Sequence, residues 1–180
     1  MRKLLSDVVG MPLYVESSPE RPLSVVRDIL VDPETGAIVA FVCIRKKVVI
    51  PRDVIMFNNA LFIRSHDDLL DFEDVIRVRD VMRKIPTIVG LPDYGEKNKP
   101  FVGRVIDFEF DVVACVLTAI YTARLLFFVR YNERIIAHHN IIKIQSDRIL
   151  VRNAALVKAT AKAKTLAEAE AFELKTPSPA

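Results

Sequence analysis

Tryptophan is absent from this 180-residue chain, cysteine occurs only twice and glycine only five times. Two cysteines make no disulfide framework. Cys43 and Cys115 both stand in apolar runs and read as small buried hydrophobes in a reducing compartment. No run of glycines leads into a helix, which excludes a phosphate-binding loop. Long apolar runs are missing too. VVACVLTAIYTA (112–123) and LLFFV (125–129) straddle Arg124, and neither provides a charge-free window long enough to span a bilayer. The N-terminal MRKLLSDVVG is basic, but Ser6, Asp7 and Gly10 break its apolar run, unlike a signal peptide. A cytoplasmic protein is expected. Nor does one sign of charge dominate: 26 basic residues face 23 acidic ones, a net +3, which does not by itself imply nucleic acid.

What is present is a succession of short Val-, Ile- and Phe-rich runs separated by turn residues. PLYV, LSVVRDILVD, AIVAFVCI, KVVI and ALFIRS have the spacing of an all-β sandwich or barrel rather than of βαβ units. The order then recurs. Ile88-Val89-Gly90 echoes Val8-Val9-Gly10, and Pro92 echoes Pro12. KPFVGRVIDFEFD (99–111) echoes RPLSVVRDILVD (21–32), and ACVLTAIY echoes AIVAFV. RIIAHHNII echoes VVIPRDVI, and RILVR echoes ALFIR, with an offset that drifts from near 80 to 88 residues. A period of one small-domain length predicts tandem duplication. The expected units are residues 1–75, residues 76–152 and an Ala/Lys/Glu-rich tail over 153–180. At the join, Ser65 can cap a short helix with Asp67 and Asp68 in its first turn, and VIRVRD reads as a strand or as the entry to the second unit. In the tail, Asn153 can cap a helix striped with Leu156, Ala159, Ala163, Leu166, Ala167 and Leu174. Early lysines and late glutamates oppose its dipole, so it is either a helix held by a partner surface or a frayed tail.

The stretch Asp32-Pro33-Glu34-Thr35-Gly36 separates two β-like arms. Asp32 can accept backbone hydrogen bonds, Pro33 presets φ, and Gly36 tolerates a left-handed conformation, so the stretch predicts a hairpin. Too few oxygen ligands are available there for calcium. In its setting, SVVRDILVDPETGAIVAFVC resembles the signature of the PRC-barrel family. Val8-Val9-Gly10 opens the pattern; Val26, Asp28, Asp32, Gly36 and Ala40 carry it; Val49-Ile50-Pro51 and Leu61-Phe62-Ile63 close it. That family includes the cytoplasmic domain of the photosynthetic reaction-centre H subunit and the C-terminal domain of the ribosome-maturation factor RimM. The resemblance covers residues 4–65, with a degraded copy over about 86–152. It implies an all-β protein of two tandem small antiparallel β-barrels with a C-terminal helical tail, and a role in protein–protein contact, sometimes beside a membrane complex.

The second copy departs where DPETG becomes DVVAC, losing Pro and Gly, so its hairpin is expected to turn differently and to carry more apolar load. That singles out Val112, Val113, Leu125, Phe127 and Tyr131 as candidate protein-contact residues, with Arg45, Lys46 and Lys47 as an electrostatic rim. His138 and His139 would point to opposite faces of a strand and so grip no single ion. No nucleophile stands beside a base, and the acidic stretch 67–74 reads as a solvated face. No catalytic residue, metal or cofactor is therefore expected. The function expected is a non-catalytic adaptor or assembly scaffold, with homo-oligomerisation through the second unit or the tail as a subordinate reading. The alternative is an RNA- or ribosome-associated assembly factor, although no aromatics alternate with the basic residues.

Overall fold

The computed structural model describes residues 1–97, 100–126 and 129–152. The candidate Phe127 and the tail 153–180 lie outside the described residues. The first half supplies β2 (Pro12–Val15), β3 (Ser24–Val31), β4 (Ile38–Cys43), β5 (Lys47–Val49), β6 (Val54–Phe57), β7 (Leu61–Ile63) and β8 (Leu70–Asp71). The second supplies β9 (Pro92–Gly95), β10 (Phe101–Asp111), β11 (Val116–Leu126), β12 (Val129–Ala137), β13 (Ile141–Ile144) and β14 (Ile149–Val151). Helices are few. Among the described residues, besides short 3-10 turns, there are α1 (Leu5–Val8) and α2 (Ile76–Lys84), and a short β1 (Arg2–Leu4) opens the chain. The protein is therefore mainly β, as the run pattern predicts.

The strands form two curled sheets with one pairing order. The first runs β6-β7-β2-β3-β4-β5-β8; the second runs β13-β14-β9-β10-β11-β12, with β1 paired to β10. In each sheet one pair is parallel, Leu13 with Leu61 on β2/β7 and Asp93 with Ile149 on β9/β14. A bulge bends the long strand of each half, between Val26 and Asp28 in β3 and between Val105 and Asp107 in β10. Each bulge aspartate accepts from the next backbone N–H, Ile29 or Phe108, at 2.8 Å. The drift in offset also has a cause. The β4–β5 connection is a tight 3-10 turn over Ile44–Lys46, while β11 and β12 continue as a longer arm before rejoining the common pattern.

Two expectations need correction. VIRVRD belongs to neither a strand nor a simple entry: it lies in α2, where Val78 and Val81 pack against Leu30, Val39, Ala40 and Val48 of the first half. The histidine pair lies not on a strand but in a 3-10 turn, His138–Asn140, with His138 half-buried and His139 exposed. Ser65 does cap a short helix, accepting from the Asp67 N–H at 3.2 Å ahead of the 3-10 turn His66–Asp68.

The halves share one hydrophobic core, in which Phe41 and Phe57 of the first, 5.7 Å apart, meet Phe110 of the second at ring separations of 6.4 and 6.3 Å. Their connecting segments cross over. β1 precedes the first half but pairs with β10 of the second, and α2 precedes the second half but packs on β3 and β4 of the first. At the centre the two hairpin tips bond each other reciprocally: the Ile38 N–H donates to Cys115 O and the Leu117 N–H to Gly36 O, both at 2.8 Å.

Candidate protein-docking groove

The turn after β10 begins with Asp111. Its Oδ1 accepts from the N–H groups of Val113 and Ala114, both at 2.8 Å, and its Oδ2 meets the N-terminal ammonium at 3.2 Å. The Ala114 N–H and the ammonium together hold this carboxyl below the ordinary range. Cys115 adopts φ 52°, the left-handed slot that Gly36 fills at φ 73° in the first half. The turn lacking Pro and Gly is therefore not a different turn, contrary to the sequence expectation. The two turns share the aspartate cap and the left-handed position ahead of the second strand.

Because Asp111 meets the polar needs of the turn, its two valines are available for other contacts. Val112 is half-buried against the core, while Val113 is 83% exposed at the tip. Across from them the 3-10 turn Pro51–Asp53 leads into β6, an edge strand bonded only to β7 among the described residues. Ile55 and Met56 of β6 are exposed, Met56 at 45%. With Met1 at one end and Phe41 and Phe57 at the base, these residues enclose a groove of about 380 Å³. Its named walls carry no charged side chain. Cys115 faces the groove with its thiol bonded to Val112 O at 3.2 Å, and burial and the nearby Asp111 carboxylate push that thiol up.

The corresponding turn in the first half has the opposite chemistry. Asp32 accepts from the Glu34 N–H at 2.9 Å and from Arg77 at 3.0 Å. Burial pushes the Asp32 carboxyl up, but these hydrogen bonds outweigh it and leave it low. Where the second turn carries Val113, the first carries Glu34, which pairs with Lys84 at 3.6 Å. The depression beside it is lined by the charged Asp32, Glu34, Arg77, Asp80 and Lys84 together with Pro33, Val81 and the exposed Ile76, so it is mixed where the groove is apolar.

The sequence candidates do not form one site. Val112 and Val113 lie together in the groove. Leu125 and the exposed Tyr131 lie on the β11–β12 arm, near the other end of an 11-residue strand, about 33 Å long at ordinary strand rise. Arg45, Lys46 and Lys47 do not line the groove. They form the β4–β5 turn, where Arg45 and Lys46 both have φ 59°. Lys47 bridges to Asp71 at 2.9 Å, and Lys46 stands over the Phe72 ring at 5.8 Å. Sequence reasoning missed Met1, Ile55 and Met56. The available signal was VIMF (54–57), an unbroken apolar run at the exit of the first half where a one-faced strand would alternate.

Among the described residues, no three of His, Cys, Asp and Glu gather as metal ligands, and no helix is long and apolar enough to cross a membrane. Two buried polar side chains lie elsewhere: the Asp93 carboxyl in β9, at 0% exposure, has only weak support from the Tyr94 N–H and the Arg134 charge, and the Thr122 hydroxyl closes no hydrogen bond. No protein-family model matches the chain, and no curated protein matches it significantly.

Proposed function

We propose that this protein is a non-catalytic adaptor or assembly scaffold that captures a protein partner in the groove between the β10–β11 tip and β6. In this reading its units are PRC-barrel-like, spanning residues 1–75 and 76–152, and it works in the cytoplasm or at the periphery of a membrane-associated complex. The observation that carries the reading is the contrast between two turns of one geometry. The first turn shows that the fold tolerates Pro33, Glu34 and Thr35 at such a tip, with charges around it. Folding therefore does not require an apolar, exposed side chain at the place of Val113. Apolar surface that the fold does not need is characteristic of a contact site. The RNA alternative draws on Arg45, Lys46 and Lys47 with Arg52, on Arg77, Arg79, Arg83 and Lys84, on Lys97, Lys99 and Arg104, and on the resemblance to the ribosome-maturation factor; of these, Lys47, Arg77 and Lys84 pair with acids of the chain and Lys46 stands over Phe72.

The test is affinity capture from lysate with the wild-type chain, Val113→Glu and Met56→Glu, each with and without nuclease. Burying one such side chain contributes about 1.5–3 kcal/mol, so each variant should lose partner binding about ten-fold or more while keeping a wild-type circular dichroism spectrum. Partners retained by both folded variants, or lost from the wild type on nuclease treatment, would overturn the proposal.

A further inference from the structure

The groove adjoins a second depression, of about 370 Å³, and Pro51 lines both. The floor of this second depression is apolar, made by Ile38, Val39, Ile50 and Val78, while Arg52 and Arg77 also line it and no acidic side chain does. Arg52 is 82% exposed, and within the chain its Nε stands 3.5 Å from the neighbouring Asp53. Arg77 is 62% exposed and gives one Nη to Asp32 at 3.0 Å. A guanidinium has several donors in a planar fork, so both arginines keep donors for a further acceptor. Nor does the turn itself need an arginine. The matching 3-10 turn of the second half, His138–Asn140, carries His139 where Pro51–Asp53 carries Arg52.

We propose that the partner segment is an apolar peptide with an aspartate or glutamate within about four residues of its apolar anchors. This rests on the groove reading above and names the chemistry that the groove selects. The anchors enter between Val113 and Met56, and the carboxylate reaches Arg52 and Arg77 over the adjoining depression. The spacing follows from the chain itself. Arg52 and Met56 are four residues apart, so their Cα atoms are separated by at most about 14 Å, which an extended peptide covers in as few residues. Arginine donates to a carboxylate in a charge-assisted pair, and an apolar floor beneath that pair keeps it from being fully screened by water. The charge also sets specificity, because a basic segment would meet two like charges there. A bilayer fits less well. The apolar walls enclose a concavity, which an inserted side chain fills and a flat surface does not.

The test is selection of a displayed library of random peptides on the full chain, followed by titration of one selected peptide in synthetic form. The selected sequences should combine large apolar residues with an acid at the stated spacing. Arg52→Gln and Arg77→Gln should each weaken the peptide about three- to ten-fold, as should amidation of the peptide's own acid. Arg52→Gln combined with the amidated peptide should lose less than the product of the two separate losses, because both remove one interaction. Arg52 is the more exposed of the two, so its variant reads binding even where Arg77→Gln disturbs the bond to Asp32. Apolar peptides without acidic preference, weakened by Val113→Glu and not by Arg52→Gln, overturn this inference and leave the groove reading standing. Peptides that Val113→Glu does not weaken, or a library that yields none, overturn both. Phosphatidylserine vesicles that then bind the wild type and not Arg52→Gln would assign this face to a membrane.

Discussion

Gly36 has two roles, and only one of them could be read from the sequence. Its place at the end of DPETG marks a turn glycine, and it does adopt φ 73°. The second role is spatial: a Cβ there would run into the His138 ring at Nε2 in the other half. Nothing local to either residue encodes that approach, because the inter-tip pairing creates it. Gly36→Ala should therefore cost about 2–3 kcal/mol, of which about 1 is left-handed strain and the rest displacement of the histidine. Thermal unfolding would show a drop of roughly 5–10 °C. In a His138→Ala background the same change should cost only the strain, and an equal cost in both backgrounds would refute the steric part. Asp93 gives a second prediction at this scale. Its counterpart in the first half is Leu13, also fully buried. Burial raises the Asp93 carboxyl to about 7, against weaker opposing effects from the Tyr94 N–H and the Arg134 charge. The folded-state value lies above the unfolded one, so this group lowers stability progressively as pH rises from about 4 to 7, by about 1.4 kcal/mol per unit, and the loss levels off above that. Urea unfolding at pH 5 and pH 8 should show Asp93→Asn with a smaller decline than wild type and a higher midpoint at pH 8.

At the scale of elements, the sequence was most legible where a strand or turn satisfies its own local pattern. Asp32, Pro33 and Gly36 marked the first turn, whereas the bulges at Asp28 and Asp107 went unread and the capped turn at Asp111 was expected to differ. It was least legible where an element answers to a distant surface. Val75, Ile76, Val78 and Val81 favour a strand by propensity, yet α2 is helical. Helical spacing brings Val78 and Val81, three apart, onto one face against β3 and β4, and that packing outweighs the β-branched preference. Val78→Asp would place an unpaired carboxylate in this small core, at a cost of about 3 kcal/mol or more. The damage should appear first in the half that α2 covers. Amide protection should fall at Leu30, Val39 and Ala40 while Phe108 and Ile120 stay protected in mild denaturant; a uniform loss would show that α2 does not act on the first half in particular.

For the whole molecule, the repeated landmarks and the lack of a flexible linker led to an expectation of two units packed together, and the contacts tie the halves into one unit. The hairpin tips bond reciprocally, one aromatic cluster joins Phe41, Phe57 and Phe110, and each connecting segment docks on the half it does not belong to. Such crossing was beyond the sequence reading, because the landmarks fix order along the chain and not which half receives β1 or α2. Separating the halves would expose Phe41 and Phe110 together, remove β1 from β10 and strip α2 from β3, so neither half should survive the loss of the other. Unfolding should therefore be a single cooperative event. With no native tryptophan, a reporter can be placed in each half, Phe62→Trp on β7 and Phe101→Trp on β10, both side chains lying outside the shared core. Fluorescence from the two single-tryptophan chains should give coincident denaturant curves, each with the slope expected for unfolding of the entire described chain. Two midpoints, or slopes near half that value, would mean that the halves are separable domains and that the reciprocal contacts between them contribute little.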